Sequence, residues 1–319
     1  MKVLVTRDIL EEALAIVGAS AEMEVWREPY PIPREVLLEK VADKVGLLCM
    51  LTDRIDDEVL ARGANLRVVS QMAVGYDNID VAACARYGVP VGNTPGVLTE
   101  TTADTAFALL LATARRMNES ERFLRAGLWK MWDPTLLLGR DVHHATIGII
   151  GMGRIGYEMA RRAYGFQMHI LYTGNRPNEE AERNFEAQRV ELATLLNQSD
   201  FVSVHTPLNG QTRHLLGAEQ FAQMKPTAIL VNTARGAIVD QKALYIALNE
   251  GVIGGAGLDV FEREPLPMDD PLLTLPNVVL VPHIGSASIA TRNNMAVLAA
   301  KNLIAGIQGK PLLHQVLPA

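Results

Sequence analysis

Among its 319 residues the chain holds only two cysteines, Cys49 and Cys84. Two thiols cannot build a disulfide framework, and they do not form a metal site. Both stand in apolar surroundings, so two buried thiols in a reducing cytoplasm is the expectation. Basic residues are not in excess. Lys and Arg total 30 against 36 Asp and Glu, a formal charge of -6. That balance offers no clustered basic face to a nucleic acid. Long apolar runs are also missing. The longest, residues 103–114, carries Asp104 and Thr105 near its start. It is too short to span a bilayer and reads as a buried helix. The opening M-K-V-L-V-T reads as a strand and has neither the apolar region nor the cleavage site of a signal peptide. Internal repeats and low-complexity tracts are absent.

What is present describes an ordinary soluble protein: 49% hydrophobic and 21% charged residues. The length exceeds what one hydrophobic core usually serves, so two domains are expected. Short apolar runs alternate with helical patterns. Residues 2–6 precede a helical stretch from Asp8, and residues 45–51 and 67–73 read as buried parallel strands. Such alternation predicts α/β architecture, with parallel sheets covered by helices on both faces. Residues 99–127 read as one extended helix, opening on Thr and Glu and closing on basic residues and glycine. A second strand–helix series runs from Ala145 to about Pro282. Residues 286–309 are helical and amphipathic. If they pack back on the first domain, that domain is discontinuous, made of residues 1–98 and 286–319, with residues 99–285 between.

The sharpest local signal is A-T-I-G-I-I-G-M-G-R-I-G, residues 145–156. The strand over residues 146–150 runs into Gly151, Gly153 and Gly156, and a helical pattern follows over residues 157–164. Gly151 allows the tight turn, Gly153 lets the backbone approach a pyrophosphate, and Gly156 lets helix and strand pack closely. The helix N-terminus presents free N–H groups and a positive dipole end to phosphates. Arg154 and Ile155 lie inside this turn and belong to the same candidate cofactor site. The next strand spans about residues 168–172. An NAD site usually places an acid near its end to bind the ribose 2′-hydroxyl. Here the chain reads Tyr172-Thr173-Gly174-Asn175-Arg176-Pro177, and no acid appears until Glu179. A guanidinium forks onto phosphate oxygens, so Asn175 and Arg176 predict NADPH, with NAD as the alternative. The competing reading makes Arg176 a solvated loop residue.

Three later segments end apolar strands with ionisable residues: L-V-N-T-A-R-G at 230–236, G-L-D-V-F-E-R-E-P at 257–265, and V-L-V-P-H-I-G at 279–285. In an open α/β sheet that edge is where ligands bind. Taken with the glycine turn, and in this order, these motifs resemble the D-isomer-specific 2-hydroxyacid dehydrogenases over essentially the whole chain. The Asn175-Arg176 loop and G-L-W-K-M-W-D-P at 127–134 are most similar to the glyoxylate and hydroxypyruvate reductase branch. The resemblance implies two Rossmann-like domains with the active site in the cleft between them. It implies a cytoplasmic homodimer that reduces a small 2-oxo acid to its D-2-hydroxy acid, using no metal.

Residue roles follow from the same resemblance. Arg235 is expected to clamp the substrate carboxylate, a match for its guanidinium fork. His283 is expected to pass a proton to and from the substrate oxygen, and Glu264 to orient the imidazole. Glu262 remains a candidate for the place of Glu264, and His205 a rival for the place of His283. The loop 72–80, M-A-V-G-Y-D-N-I-D, resembles the family's substrate loop, where the N–H groups of Val74 and Gly75 receive the carboxylate. His205, Pro207 and Thr212 are expected beside the nicotinamide ribose, as are Thr233 and Ala234. Asp259 is expected at the carboxamide, Thr102 near the phosphates, and Gly285 on the cofactor side. Trp132, more than Trp129, is expected either to reach a partner subunit's site or simply to pack a dimer interface. Two other functions keep the same motifs in play: a dinucleotide-sensing corepressor, and an enzyme acting on phosphite.

Overall fold

In the computed structural model, which describes residues 1–318, the chain divides into two compact units. It leaves the first after Leu98 and returns to it at Ala287, and Thr99–Ser286 forms the second. Each unit is an α/β sheet of Rossmann type.

The first unit carries strands β1 (Lys2–Val5), β2 (Glu22–Val25), β3 (Gly46–Cys49), β4 (Val69–Gln71) and β5 (Val91–Gly92). They lie in the order β5-β4-β3-β1-β2, all parallel. The last strand, Gln315–Val316, adds to β5 in the antiparallel sense. The apolar runs at 45–51 and 67–73 therefore become β3 and β4, each wholly buried. Leu4, Leu47, Val69 and Val91 belong to one core. The helix Ile289–Ile307 crosses the sheet at Gly46. A Cβ there would fall 2.8 Å from both Ile307 and Leu303, so glycine permits that approach.

The second unit holds β6 (Thr146–Ile150), β7 (His169–Thr173), β8 (Gln188–Arg189), β9 (Phe201–Val204), β10 (Ile229–Asn232), β11 (Gly255–Leu258) and β12 (Val278–Leu280). Their order is β12-β11-β10-β9-β6-β7-β8, and every pairing is parallel. Alternate side chains feed two cores. Ile147, Ile149 and Val231 pack with Ala106, Leu109, Met159 and Ala160 on one face. Ile150, Val202 and Leu230 pack with Leu195, Phe221 and Leu244 on the other. Burial on both faces is why these strands read as unbroken apolar runs. The chain builds outward from β6 in both directions, and this reversal opens a crevice at the C-terminal ends of β6 and β9.

The expected helix over residues 99–127 is not one helix. Thr99–Ala114 ends, Arg116 takes a left-handed conformation (φ 52°), and Met117–Arg125 starts a second helix. The cause lies far along the chain. Arg140 N–H donates to the Ala114 carbonyl at 2.8 Å, so that carbonyl has its partner outside the helix. Gly139 makes the approach possible, because a Cβ there would stand 2.4 Å from the Ala114 oxygen. Neither glycine nor proline marks residues 113–119, so the break leaves no local signal. Among the described residues, no helix is long and apolar enough to cross a membrane.

Candidate active site

The glycine turn sits at the crevice of the second unit. Gly151 has φ 98°, open to glycine and costly for other residues. Its N–H donates to the Thr173 carbonyl at 2.9 Å, tying the turn to the end of β7. A Cβ on Gly151 would lie 2.8 Å from the His205 backbone. A Cβ on Gly156 would lie 2.1 Å from the Gly151 oxygen, so the helix Arg154–Gly165 starts hard against the strand it leaves. Gly153, by contrast, caps that helix with nothing within 4 Å of its Cβ position. The turn is thus closed on the protein side and open where a phosphate would arrive. Arg154 is exposed and Ile155 half-buried.

The other residues read from the sequence as cofactor contacts lie in the same unit. Thr102 is buried in the first turn of Thr99–Ala114. Asn175 and Arg176 are exposed beyond β7, and Arg176 forms no ion pair among the described residues. Asn178 shapes that loop: its side chain donates to the Met152 carbonyl at 3.0 Å and caps the following helix. Thr212 Oγ1 donates to the Pro207 carbonyl at 2.6 Å, fixing the loop after β9. Thr233 is buried, and its hydroxyl has no hydrogen-bond partner. Buried hydroxyls are normally paired, so this one is suited to a ligand. A dinucleotide fits these features.

The strand ends gather the ionisable groups. Arg235 follows β10 and is held by its own turn. Asn232 Nδ2 donates to the Arg235 carbonyl at 2.9 Å, and Asn232 Oδ1 accepts from Ala234 N–H at 3.0 Å. Gly236 comes next, and a Cβ there would stand 1.8 Å from the Phe261 carbonyl carbon. This close contact locks the arginine turn to the loop that carries the glutamates. Glu264 Oε1 accepts from Phe261 N–H at 3.0 Å, and Glu264 Oε2 lies 2.6 Å from His283 Nδ1. Burial raises the Glu264 carboxyl, but the hydrogen bond and charge of His283, the Phe261 N–H and the charge of Arg235 outweigh it. The net shift is downward. Glu264 is therefore ionised at neutral pH.

His283 itself lies at φ 54°. Asp259, at the end of β11, holds it there. The Asp259 carbonyl accepts from His283 N–H at 2.9 Å. Its carboxylate accepts from Ile284 N–H at 2.5 Å and Gly285 N–H at 2.8 Å. Burial pushes this carboxyl above its usual range despite those bonds. Gly285 is needed at that point, because a Cβ would meet the carboxylate at 2.9 Å. The sequence pointed to Asp259 only as a cofactor contact. Its hold on the histidine turn depends on residues 25 positions away, which no local spacing reveals. The part played by Asn232 was equally silent.

The two pairs of rival candidates differ in their surroundings. Glu262 contacts a different imidazole, with Oε1 lying 2.7 Å from His214 Nε2, and it is Glu264 that meets His283. His205 lies beside Ser203, with Nε2 2.8 Å from the hydroxyl, and desolvation pulls its pKa down to about 4. It is neutral at pH 7 and a poor proton donor. Val74 and Gly75 belong to the first unit, half-buried on the loop after β4. Trp132 lies on the segment after Met117–Arg125 and is 78% exposed.

Known proteins resemble this chain in sequence and fold. Residues 107–285 match the family model described as D-isomer specific 2-hydroxyacid dehydrogenase, NAD binding domain. A glyoxylate reductase of Korarchaeum cryptofilum is 54% identical over 310 residues, 97% of this chain and 93% of that one. A glyoxylate reductase of Pyrococcus horikoshii is 51% identical over 313 residues, again 97% and 93%. A Thermus thermophilus protein of known structure superposes with a TM-score of 0.94 at 46% identity, covering 99% of this chain and 100% of its own. An NADPH-dependent glyoxylate/hydroxypyruvate reductase of Sinorhizobium meliloti, solved with NADP and malonate, gives 0.85 at 32% identity over 99% and 96%. With half its length under the family model and nearly all of it shared with these relatives, the chain belongs to the D-isomer-specific 2-hydroxyacid dehydrogenases and is an oxidoreductase of that kind.

Proposed function

We propose that the protein is an NADPH-dependent reductase of glyoxylate or hydroxypyruvate, producing the D-2-hydroxy acid. The contact between Glu264 and His283, at the sheet edge that also carries the glycine turn, is the observation that carries this reading. When bound, the nicotinamide supplies the hydride to the 2-oxo carbon. The residues of the chain supply the rest. Arg235 receives the substrate carboxylate and polarises the carbonyl with a fixed fork of donors. Glu264 orients the His283 ring through Nδ1, and Nε2 is the nitrogen assigned to the substrate. The imidazolium gives its Nε2 proton to the carbonyl oxygen as carbon accepts the hydride pair, and it takes the proton back in the reverse direction. The backbone N–H groups of Val74 and Gly75 are assigned to the substrate carboxylate. The Gly151–Gly156 turn, with Arg154 and Ile155, would hold the pyrophosphate, and Thr102 would stand near the phosphates. His205, Pro207, Thr212, Thr233, Ala234, Asp259 and Gly285 would line the nicotinamide half.

Preference for NADPH rests on Arg176, exposed and free of any carboxylate partner among the described residues. The relatives solved with NADP or NADPH support the same reading. A panel of glyoxylate, hydroxypyruvate, pyruvate, bulkier 2-oxo acids and phosphite, followed by nicotinamide absorbance with both coenzymes, tests it. Glyoxylate and hydroxypyruvate should give the highest kcat/KM. NADPH should beat NADH by about 10–100-fold, the worth of one charge-assisted contact of about 1.5–3 kcal/mol. The Arg176→Ala variant should bring the two coenzymes close to parity. A wild-type preference for NADH, or turnover of phosphite alone, overturns the assignment.

The segment around Met117–Arg125 also exposes Leu124, Leu128, Trp129, Met131 and Trp132. So much adjacent exposed apolar surface marks an interaction face. A second copy of the chain is its occupant in this reading, with Trp132 reaching toward the partner's substrate. Light scattering should give a dimer mass. A Trp132→Ala enzyme that keeps both its mass and a widened substrate range would separate the substrate role from packing.

A further inference from the structure

The loop at 73–76 has three carbonyls in succession held from behind. Ala73 O accepts from Thr94 N–H at 2.9 Å. Val74 O accepts from Asn93 Nδ2 at 2.8 Å. Gly75 O accepts from Gln71 Nε2 at 3.2 Å. A trans peptide is planar, with its N–H pointing opposite its C=O. Pinning the carbonyls of residues 73, 74 and 75 therefore aims the N–H groups of Val74, Gly75 and Tyr76 the other way. None of these three N–H groups has a partner among the described residues. Val74 and Gly75 are half-buried, where unpaired donors are rare. Successive free N–H groups of this kind make an anion-binding concavity.

The amides doing the pinning are themselves fixed. Asn93 is buried, and its carbonyl accepts from Asn302 Nδ2 at 3.0 Å. Asn302, wholly buried in the helix Ile289–Ile307, accepts from Leu313 N–H at 2.9 Å and His314 N–H at 3.2 Å. A Cβ on Gly92 would lie 3.0 Å from Asn302, so the strand beside Asn93 is shaped to admit that side chain. Gln71, also wholly buried, accepts from the Cys49 thiol at 3.0 Å and donates to Asn78 Oδ1 at 2.6 Å. Asn78 in turn donates to the carbonyls of Met50 and Asp53. Each amide has its donor end toward the loop because its acceptor end is already taken or its target is a carbonyl.

We propose that Asn93 and Gln71, with Asn302 behind Asn93, are positioning residues that preset the loop's N–H groups for the substrate carboxylate. This rests on the reading of Val74 and Gly75 as the carboxylate-receiving loop. A brace of this kind acts on binding and not on the proton or hydride steps. Loss of it raises KM and leaves kcat nearly intact, the signature of an interaction equal in ground and transition states. The variants Asn93→Leu and Gln71→Met keep size and charge close to native and remove the donor. In Asn93→Leu, KM for glyoxylate and Ki for oxalate should rise together by about tenfold or more, the worth of one oriented N–H to a charged group. The kcat should stay within about threefold and the NADPH Kd should not move. Gln71→Met, which frees only the third peptide plane, should shift the same two constants less, and it carries the test if Asn93→Leu does not fold. Unchanged oxalate Ki in a folded variant overturns the brace, as does a fall in kcat with KM unmoved. A wild-type protein that reduces no 2-oxo acid and ignores oxalate overturns the underlying reading instead, and the brace with it.

Discussion

Replacing His283 with alanine should lower kcat for glyoxylate reduction by about 10²–10⁴-fold, the usual contribution of a positioned acid or base. The NADPH Kd should stay within about twofold, since the glycine turn and the loop after β7 are untouched by the change. The reason for so large an effect is geometric. The Glu264 carboxylate contacts Nδ1 at 2.6 Å and is ionised at neutral pH. Neither His205 nor His214 is placed to take over. His205 is neutral, pulled down to about 4 by desolvation. His214 is engaged by Glu262 at 2.7 Å. Near-normal turnover in His283→Ala would remove the proton-transfer assignment altogether. A large loss confined to KM would make His283 a binding group instead.

Arg235→Ala should cost kcat/KM about 10²–10³-fold, equivalent to about 3–4 kcal/mol of lost contact with a carboxylate. On the proposed mechanism both KM and kcat should suffer, because there the guanidinium meets the carboxylate in the ground state and the polarised carbonyl in the transition state. Arg235→Lys should recover little, since a single ammonium cannot reproduce a planar fork. The fold around it should persist. The turn is held by Asn232 through the Arg235 backbone carbonyl and by the Gly236 contact, and neither needs the guanidinium. Thermal unfolding measured beside the kinetics separates the two effects. A kcat/KM within threefold of wild type would exclude Arg235 from substrate binding.

The sequence exposed those parts of the molecule whose causes are local. The run of residues 146–150 into three glycines announced a strand, a turn and a helix, and β6 with Arg154–Gly165 follows. Doubly buried strands announced themselves as apolar runs, as at β3 and β4. The split of residues 99–127 into two helices was hidden, because its cause is Arg140 reaching Ala114. The same limit applied at the site. Glu262 and Glu264 are two residues apart and flank the same arginine, so composition alone could not rank them. Their partners, His214 and His283, come from opposite directions along the chain. The motif resemblance favoured Glu264, and in the fold it is Glu264 that lies against His283. Asp259 and Asn232 were invisible in their present roles because each acts through backbone groups, and backbone groups carry no residue-type signal. Gln71 and Asn93 escaped for the same reason.

The conformation of His283 has a consequence for how the protein tolerates change. At φ 54° the residue lies where an L side chain costs about 1–2 kcal/mol and glycine costs almost nothing. The position the chemistry is assigned to is thus one where histidine is a poor choice for folding. Directed evolution for heat resistance alone would drift toward glycine at this codon and, on the proposed mechanism, toward a silent protein. Selection for turnover keeps the imidazole at the expense of marginal stability, and the three bonds from Asp259 to residues 283–285 are where the fold absorbs that conflict.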